Sequence, residues 1–120
     1  MNPAGFIEQH FVGSQTPQEV HKAIADLKRI TRRLHKEGKP VLILVDVNRV
    51  TKIDLGPKML KARVAGMKAM RSIEYKRAAV YGPLTVQVLV NTLALVAGVR
   101  DKIRVFDSRI DAVRWLRSKK

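Results

Sequence analysis

The chain contains no cysteine. That excludes disulfides, a thiol nucleophile and any thiolate-bound metal, and it fits a reducing compartment. Aromatic residues make up only 5%, too few for the stacking platform that single-stranded nucleic acid needs. Acidic residues are also scarce, 10 Asp+Glu against 24 Lys+Arg, which leaves a formal net charge of +14. No uncharged run reaches the roughly 20 apolar residues of a spanning helix. The longest candidate, residues 81 to 99, contains Thr85, Gln87, Asn91 and Thr92 and opens on Gly-Pro. It reads as a buried or interface helix. The first ten residues, MNPAGFIEQH, lack a basic segment followed by an apolar run, so no signal peptide is expected and the location expected is cytoplasmic.

What is present is a core. Hydrophobic residues are 46% of 120, enough for one domain over 1–120 and too few for two. Short apolar runs alternate with longer amphipathic ones, the pattern of βα units. Residues 5 to 13 (GFIEQHFVG) give a first strand. The next segment has Thr16 for an N-cap, Pro17 for the first helical position and Glu19 for a capping box, and Gly38 with Pro40 for a stop. Val20, Ile24, Leu27 and Leu34 share one face of this helix. PVLILVDV, 40 to 47, is a continuous β-type run, as in a strand covered on both faces. A helix follows from about Gly56 to Ile73, with Ala62, Ala65, Gly66 and Ala69 keeping one side thin. KRAAVYG is a third strand, Gly82 and Pro83 open a third helix that Gly98 ends, and KIRVFDS is a fourth strand. Ser108 and Asp111 make a capping box for the last helix. The expectation is an α/β domain with a mostly parallel four-stranded sheet and about four helices, joined by right-handed crossovers.

VLILVDVNRVTKID followed by a helix resembles the central strand and turn of STAS domains, named for sulfate transporters and anti-sigma-factor antagonists. KRAAVYG and IRVFDSRIDAVRWL resemble the end of the SpoIIAA-like branch, with Phe106, Ala112, Trp115 and Leu116 in its F-x-x-x-x-x-A-x-x-W-L ending. The resemblance runs from about Phe6 to Leu116 and implies a STAS-like fold. The anti-sigma antagonists carry Asp-Ser-Ser-Gly at the turn. Aligning Asp54 with that Asp places Leu55 and Gly56 where the serines would stand. The resemblance therefore implies a regulatory or protein-interaction module without the phosphoacceptor serine. One strand precedes the first helix, where the family often has a hairpin.

Residues for catalysis are few. His10, His21 and His35 are far apart in sequence, no serine stands in a nucleophile elbow, and no Walker or G-x-G-x-x-G loop occurs. A non-enzymatic protein without cofactor or metal is expected. A candidate ligand cleft comprises Asp46, Asn48, Asp54, Gly56, Tyr81 and Gly82, near the carboxyl ends of strands two and three. Helix starts at Gly56 and Gly82 offer backbone N–H groups to a small anion. The structural reading of the two carboxylates is preferred: Asp54 capping a helix, Asp46 paired with a nearby Lys or Arg.

The third helix is the most informative element. Val86, Leu89, Val90, Leu93 and Ala97 form a face for the sheet, while Leu84, Val88 and Leu95 point elsewhere beside Gln87, Asn91 and Thr92. Charge is expected on an exposed face, and here there is none. The helix is either covered within the monomer or exposes a patch for a partner, with a homodimer preferred to a lipid pocket. Related CRAL-TRIO-type folds bind lipid, so a small lipid- or anion-binding domain is the alternative function. A further alternative is nonspecific binding of nucleic acid or a membrane surface through Lys22, Arg29, Arg33 and Lys36 on the first helix.

Overall fold

In the computed structural model, residues 6–12, 16–50, 56–73 and 75–118 are described. Four strands form one sheet: β1 (Ile7–Val12), β2 (Leu42–Arg49), β3 (Arg77–Tyr81) and β4 (Ile103–Phe106). All three pairings are parallel, in the order β1-β2-β3-β4. Helices α1 (Pro17–Lys36), α2 (Pro57–Ala69) and α3 (Leu84–Ala97) make the crossovers, and α4 (Arg109–Leu116) follows β4. A 3-10 turn, Met70–Ser72, extends α2 toward β3. The expected α/β architecture is the one observed.

The period-two alternation of the strands sorts two cores. Ile43, Val45 and Val47 of β2, Ala78 and Val80 of β3 and Ile103 of β4 face one way, where Leu27 and Leu34 of α1 and Val86, Ala94 and Ala97 of α3 cover them. Leu44, Ala79 and Tyr81 face the other way with Phe6, beneath Ala112 and Leu116 of α4. Among the described residues, three helices therefore share one face and α4 covers the other. The central strands are buried on both faces, which is why PVLILVDV reads as an unbroken apolar run.

The helix ends follow their local chemistry. The Thr16 backbone N–H donates to Glu19 Oε1 (3.1 Å) and the Glu19 N–H donates to Thr16 Oγ1 (3.2 Å), the reciprocal capping box. Gly98 ends α3 at φ +74, a backbone state that costs other residues steric strain. At α4 the Asp111 N–H donates to Ser108 Oγ (3.3 Å). Pro83 is the N-cap of α3, consistent with a helix that opens at Gly82 and Pro83.

The far end of α4 is held by Arg77. Its Nη1 donates to the carbonyls of Trp115 (2.8 Å) and Ser118 (3.0 Å) and to Ser118 Oγ (2.6 Å). A cation here satisfies carbonyls that the helix leaves open. Arg77 and Arg104 both lie over the Trp115 ring, at 5.3 and 5.4 Å from its centre. Phe106 packs on the same ring, 5.7 Å between centres. The Phe106, Ala112, Trp115, Leu116 ending thus closes the smaller core.

Candidate functional site

The carboxyl ends of the strands gather polar side chains on the α4 face, where only the start of that short helix reaches them. In the sheet register His10 stands beside Asp46 and Asp46 beside Tyr81. His10 Nδ1 is 3.1 Å from Asp46 Oδ2, and its Nε2 is 3.3 Å from Glu8 Oε2. Arg109, the first residue of α4, donates from Nη2 to Glu8 Oε1 at 2.6 Å. The Asn48 N–H donates to Asp46 Oδ1 at 2.9 Å. One network therefore joins β1, β2 and α4, and Tyr81 of β3 sits inside it.

Its electrostatics follow from these contacts. Burial works against the charge of Asp46, yet the Asn48 N–H and His10 outweigh it and hold the carboxyl below its ordinary value. Burial, together with the neighbouring Asp46 charge, pushes the Tyr81 phenol up. The bond to Glu8 raises Arg109 further. The cluster is thus a set of mutually bonded polar groups, with Tyr81 held as a neutral phenol. Among the described residues no group of three His, Asp or Glu side chains is placed to hold a metal ion.

Asp46 pairs with His10 and not with the Lys or Arg expected, because β1 lies beside β2 and brings His10 into register. Of the candidate cleft, Asp46, the Asn48 N–H and Tyr81 come together here, and Gly82 adjoins Tyr81. Gly82 is closely covered: a Cβ there would lie 2.5 Å from Val47 Cγ2. Gly56 is the N-cap of α2, on the side of the sheet that carries α1 and α3. Asp54, and Leu55 with it, lies outside the described residues. Sequence reasoning missed Glu8, His10 and Arg109. The spacing of Glu8 and His10 places them on one face of β1, which was a usable signal. Nothing local indicated that the start of α4 would reach them.

The second feature is α3. Leu84, Val88 and Leu95 are 69%, 59% and 61% exposed, and Val96 is 61% exposed. At 3.6 residues per turn the first three fall within roughly 60° of arc. The described monomer therefore leaves this stripe of α3 uncovered while burying the face that meets the sheet. Gln87 departs from the helical projection. It is buried, and its Nε2 donates to the Gly82 carbonyl and to Asp107 Oδ1, both at 2.8 Å. A buried carbonyl at the end of β3 thereby finds its donor.

A third feature is a cavity of about 160 Å³ between the three-helix layer and the sheet. Phe11, Ile24, Val45, Met67 and Leu93 are among its apolar walls, and Gln9 and Arg63 are its polar ones. The basic residues of α1, Lys22, Arg29, Arg33 and Lys36, are all exposed. Arg29 pairs loosely with Asp26 (3.5 Å) and Arg33 with Glu37 (3.8 Å). Among the described residues no helix is long and apolar enough to cross a membrane.

No family model matches the chain, and no curated protein or solved structure matches it at a significant level.

Proposed function

We propose that the chain is a non-enzymatic regulatory or protein-interaction module of STAS-like type that associates with a second copy of itself through α3. The observation that carries this reading is the exposed stripe Leu84, Val88 and Leu95. It lies on a helix with no charged residue, inside a stretch from Ala78 to Val99 that has none either. Two chains of charge +14 repel almost everywhere they meet. The α3 face is where they can approach without opposing like charge, and burying its side chains supplies an apolar driving force. The STAS-like assignment rests on the residue pattern given above and on an architecture that agrees with it. The mutual satisfaction of Glu8, His10, Asp46 and Arg109 supports a role without catalysis. Cytoplasmic residence belongs to the same proposal.

Sedimentation equilibrium tests it. The wild type sediments as a reversible dimer, and Val88→Glu as a folded monomer. A wild type that is monomeric at all concentrations, with Val88→Glu equally soluble and stable, refutes the α3 interface.

The cavity favours a second reading, a domain that takes up a small apolar ligand. Its walls among the described residues are apolar apart from Gln9 and Arg63, the lining that an apolar ligand needs. Native mass spectrometry of gently purified protein shows a ligand adduct under this reading and a bare mass without it.

A further inference from the structure

The connections that lead from a helix back into the sheet lie at one end of the molecule, because all four strands run in parallel and begin there. Each of these connections brings a cation. Lys39 follows α1 in the α1–β2 turn, beside His35; Arg71 and Lys76 flank the α2–β3 turn, and Lys102 precedes β4. They converge on an open groove of about 610 Å³, within the roughly 300–1,000 Å³ of small-molecule sites. Among the described residues no carboxylate lines it. Glu37 lies near, holding Lys39 at 3.2 Å. Among the described residues Arg71, Lys76 and Lys102 form no ion pair, and with Glu37 and the Asp101 charge nearby the groove keeps an excess of positive charge.

A second observation is independent of charge. Tyr75 lines the same groove and is 6% exposed, and its buried hydroxyl has no hydrogen-bond partner. Buried hydroxyls are normally satisfied, and one that is not costs stability. Burial, helped by the nearby Asp101 charge, pushes this phenol up to about 12, so at neutral pH it holds its proton and can only gain by meeting an acceptor. The Lys102 ammonium stands 5.4 Å from the Tyr75 ring centre. An acceptor that also carries several negative charges answers both deficits together.

We propose that this groove binds a small anion with two or more phosphate groups, gripped by Arg71, Lys76 and Lys102, with the Tyr75 hydroxyl as a neutral donor. Phosphate suits the set better than a single carboxylate. Several converging cations need several charges, and the Arg fork matches phosphate oxygens in pairs. The groove lies at the opposite end of the strands from the Glu8–His10–Asp46–Arg109 cluster, whose two carboxylates would repel such a ligand.

Titration calorimetry of the full chain with inorganic pyrophosphate, at about 0.15 M salt to screen the general field, is the test. Saturable one-to-one binding is expected. Arg71→Gln with Lys76→Gln weakens it about tenfold or more, the scale of losing charge-assisted hydrogen bonds. Lys22→Gln with Arg29→Gln removes the same charge from exposed α1 and changes the affinity less than about twofold. Tyr75→Phe weakens binding severalfold and does not lower the melting temperature, since the hydroxyl removed was unsatisfied. Equal losses in the two double variants reduce the effect to net charge and overturn the proposal. So does binding confined to long polyanions, or a Tyr75→Phe variant with unchanged affinity.

Discussion

Glu8 and Arg109 are 101 residues apart in sequence and 2.6 Å apart in space. This contact ties the first strand to the last helix on the face that α4 covers. Both side chains remain partly in water, 22% and 51% exposed, and exposed pairs contribute about 1 kcal/mol or less. Arg109→Gln is therefore expected to lower the urea midpoint only slightly, leaving the slope of the transition unchanged. A loss of several kcal/mol would mean that the pair organises the whole cluster.

Asp46 gives the chain a pH dependence of definite sign. Its folded value lies below the ordinary 3.8. The stability it confers is complete above that ordinary value and is lost as the pH falls through the lower folded one. Asp46→Asn removes this contribution, so its melting temperature falls less steeply below about pH 4 than that of the wild type. Parallel curves for the two proteins would refute the assignment.

The two glycines that flank α3 should respond differently to alanine. At Gly82 a Cβ would meet Val47 Cγ2 at 2.5 Å and the Val47 carbonyl carbon at 3.1 Å. Overpacking of this kind costs about 1–3 kcal/mol. At Gly98 nothing lies within 4 Å, and only the positive φ opposes a side chain, at roughly 1 kcal/mol. Chemical denaturation of Gly82→Ala and Gly98→Ala should place the first below the second.

Gly66 should behave the opposite way. A Cβ there would touch Val20 Cγ1 at 3.3 Å and Ile24 Cγ1 at 3.4 Å. Both neighbours line the cavity and have empty space to move into. Alanine also gains up to about 1 kcal/mol of helix propensity over glycine. Gly66→Ala is expected to raise the urea midpoint, and a lowered midpoint would show that the α1–α2 contact cannot relax.

If α3 joins two copies, added salt should strengthen the dimer. The screening length shortens from about 30 Å to about 8 Å between 0.01 M and 0.15 M. That removes repulsion between two +14 chains and leaves the apolar contact intact. Sedimentation across this range should show the dimer fraction rising. A falling fraction would point to an ionic interface elsewhere.

The architecture was legible because its signals are local. Thr16 with Glu19, Gly98 at the end of α3 and the unbroken run before Asp46 each state a cap or a doubly buried strand within a few residues. That Leu84, Val88 and Leu95 turn away from the sheet was legible too; whether other helices cover them was not, because that depends on how the helices pack. The polar cluster was not. It requires β1 beside β2, with His10 in register with Asp46, and α4 laid across the sheet so that Arg109 meets Glu8. Those are tertiary facts separated by dozens of residues. Gln87 was misplaced for a related reason: helical periodicity assigns a side chain to a face, and a carbonyl in need of a donor can reclaim it. The basic groove escaped notice because its cations come from separate turns that only a parallel sheet collects.

Phe6 and Leu116 occupy the same small core. As the chain leaves the ribosome, the layer of α1, α2 and α3 can close over its side of the sheet before α4 has emerged. Leu44, Ala79 and Tyr81 must wait, open to water or to a chaperone, until α4 arrives. Loss of α4 would leave that side of the nascent domain bare.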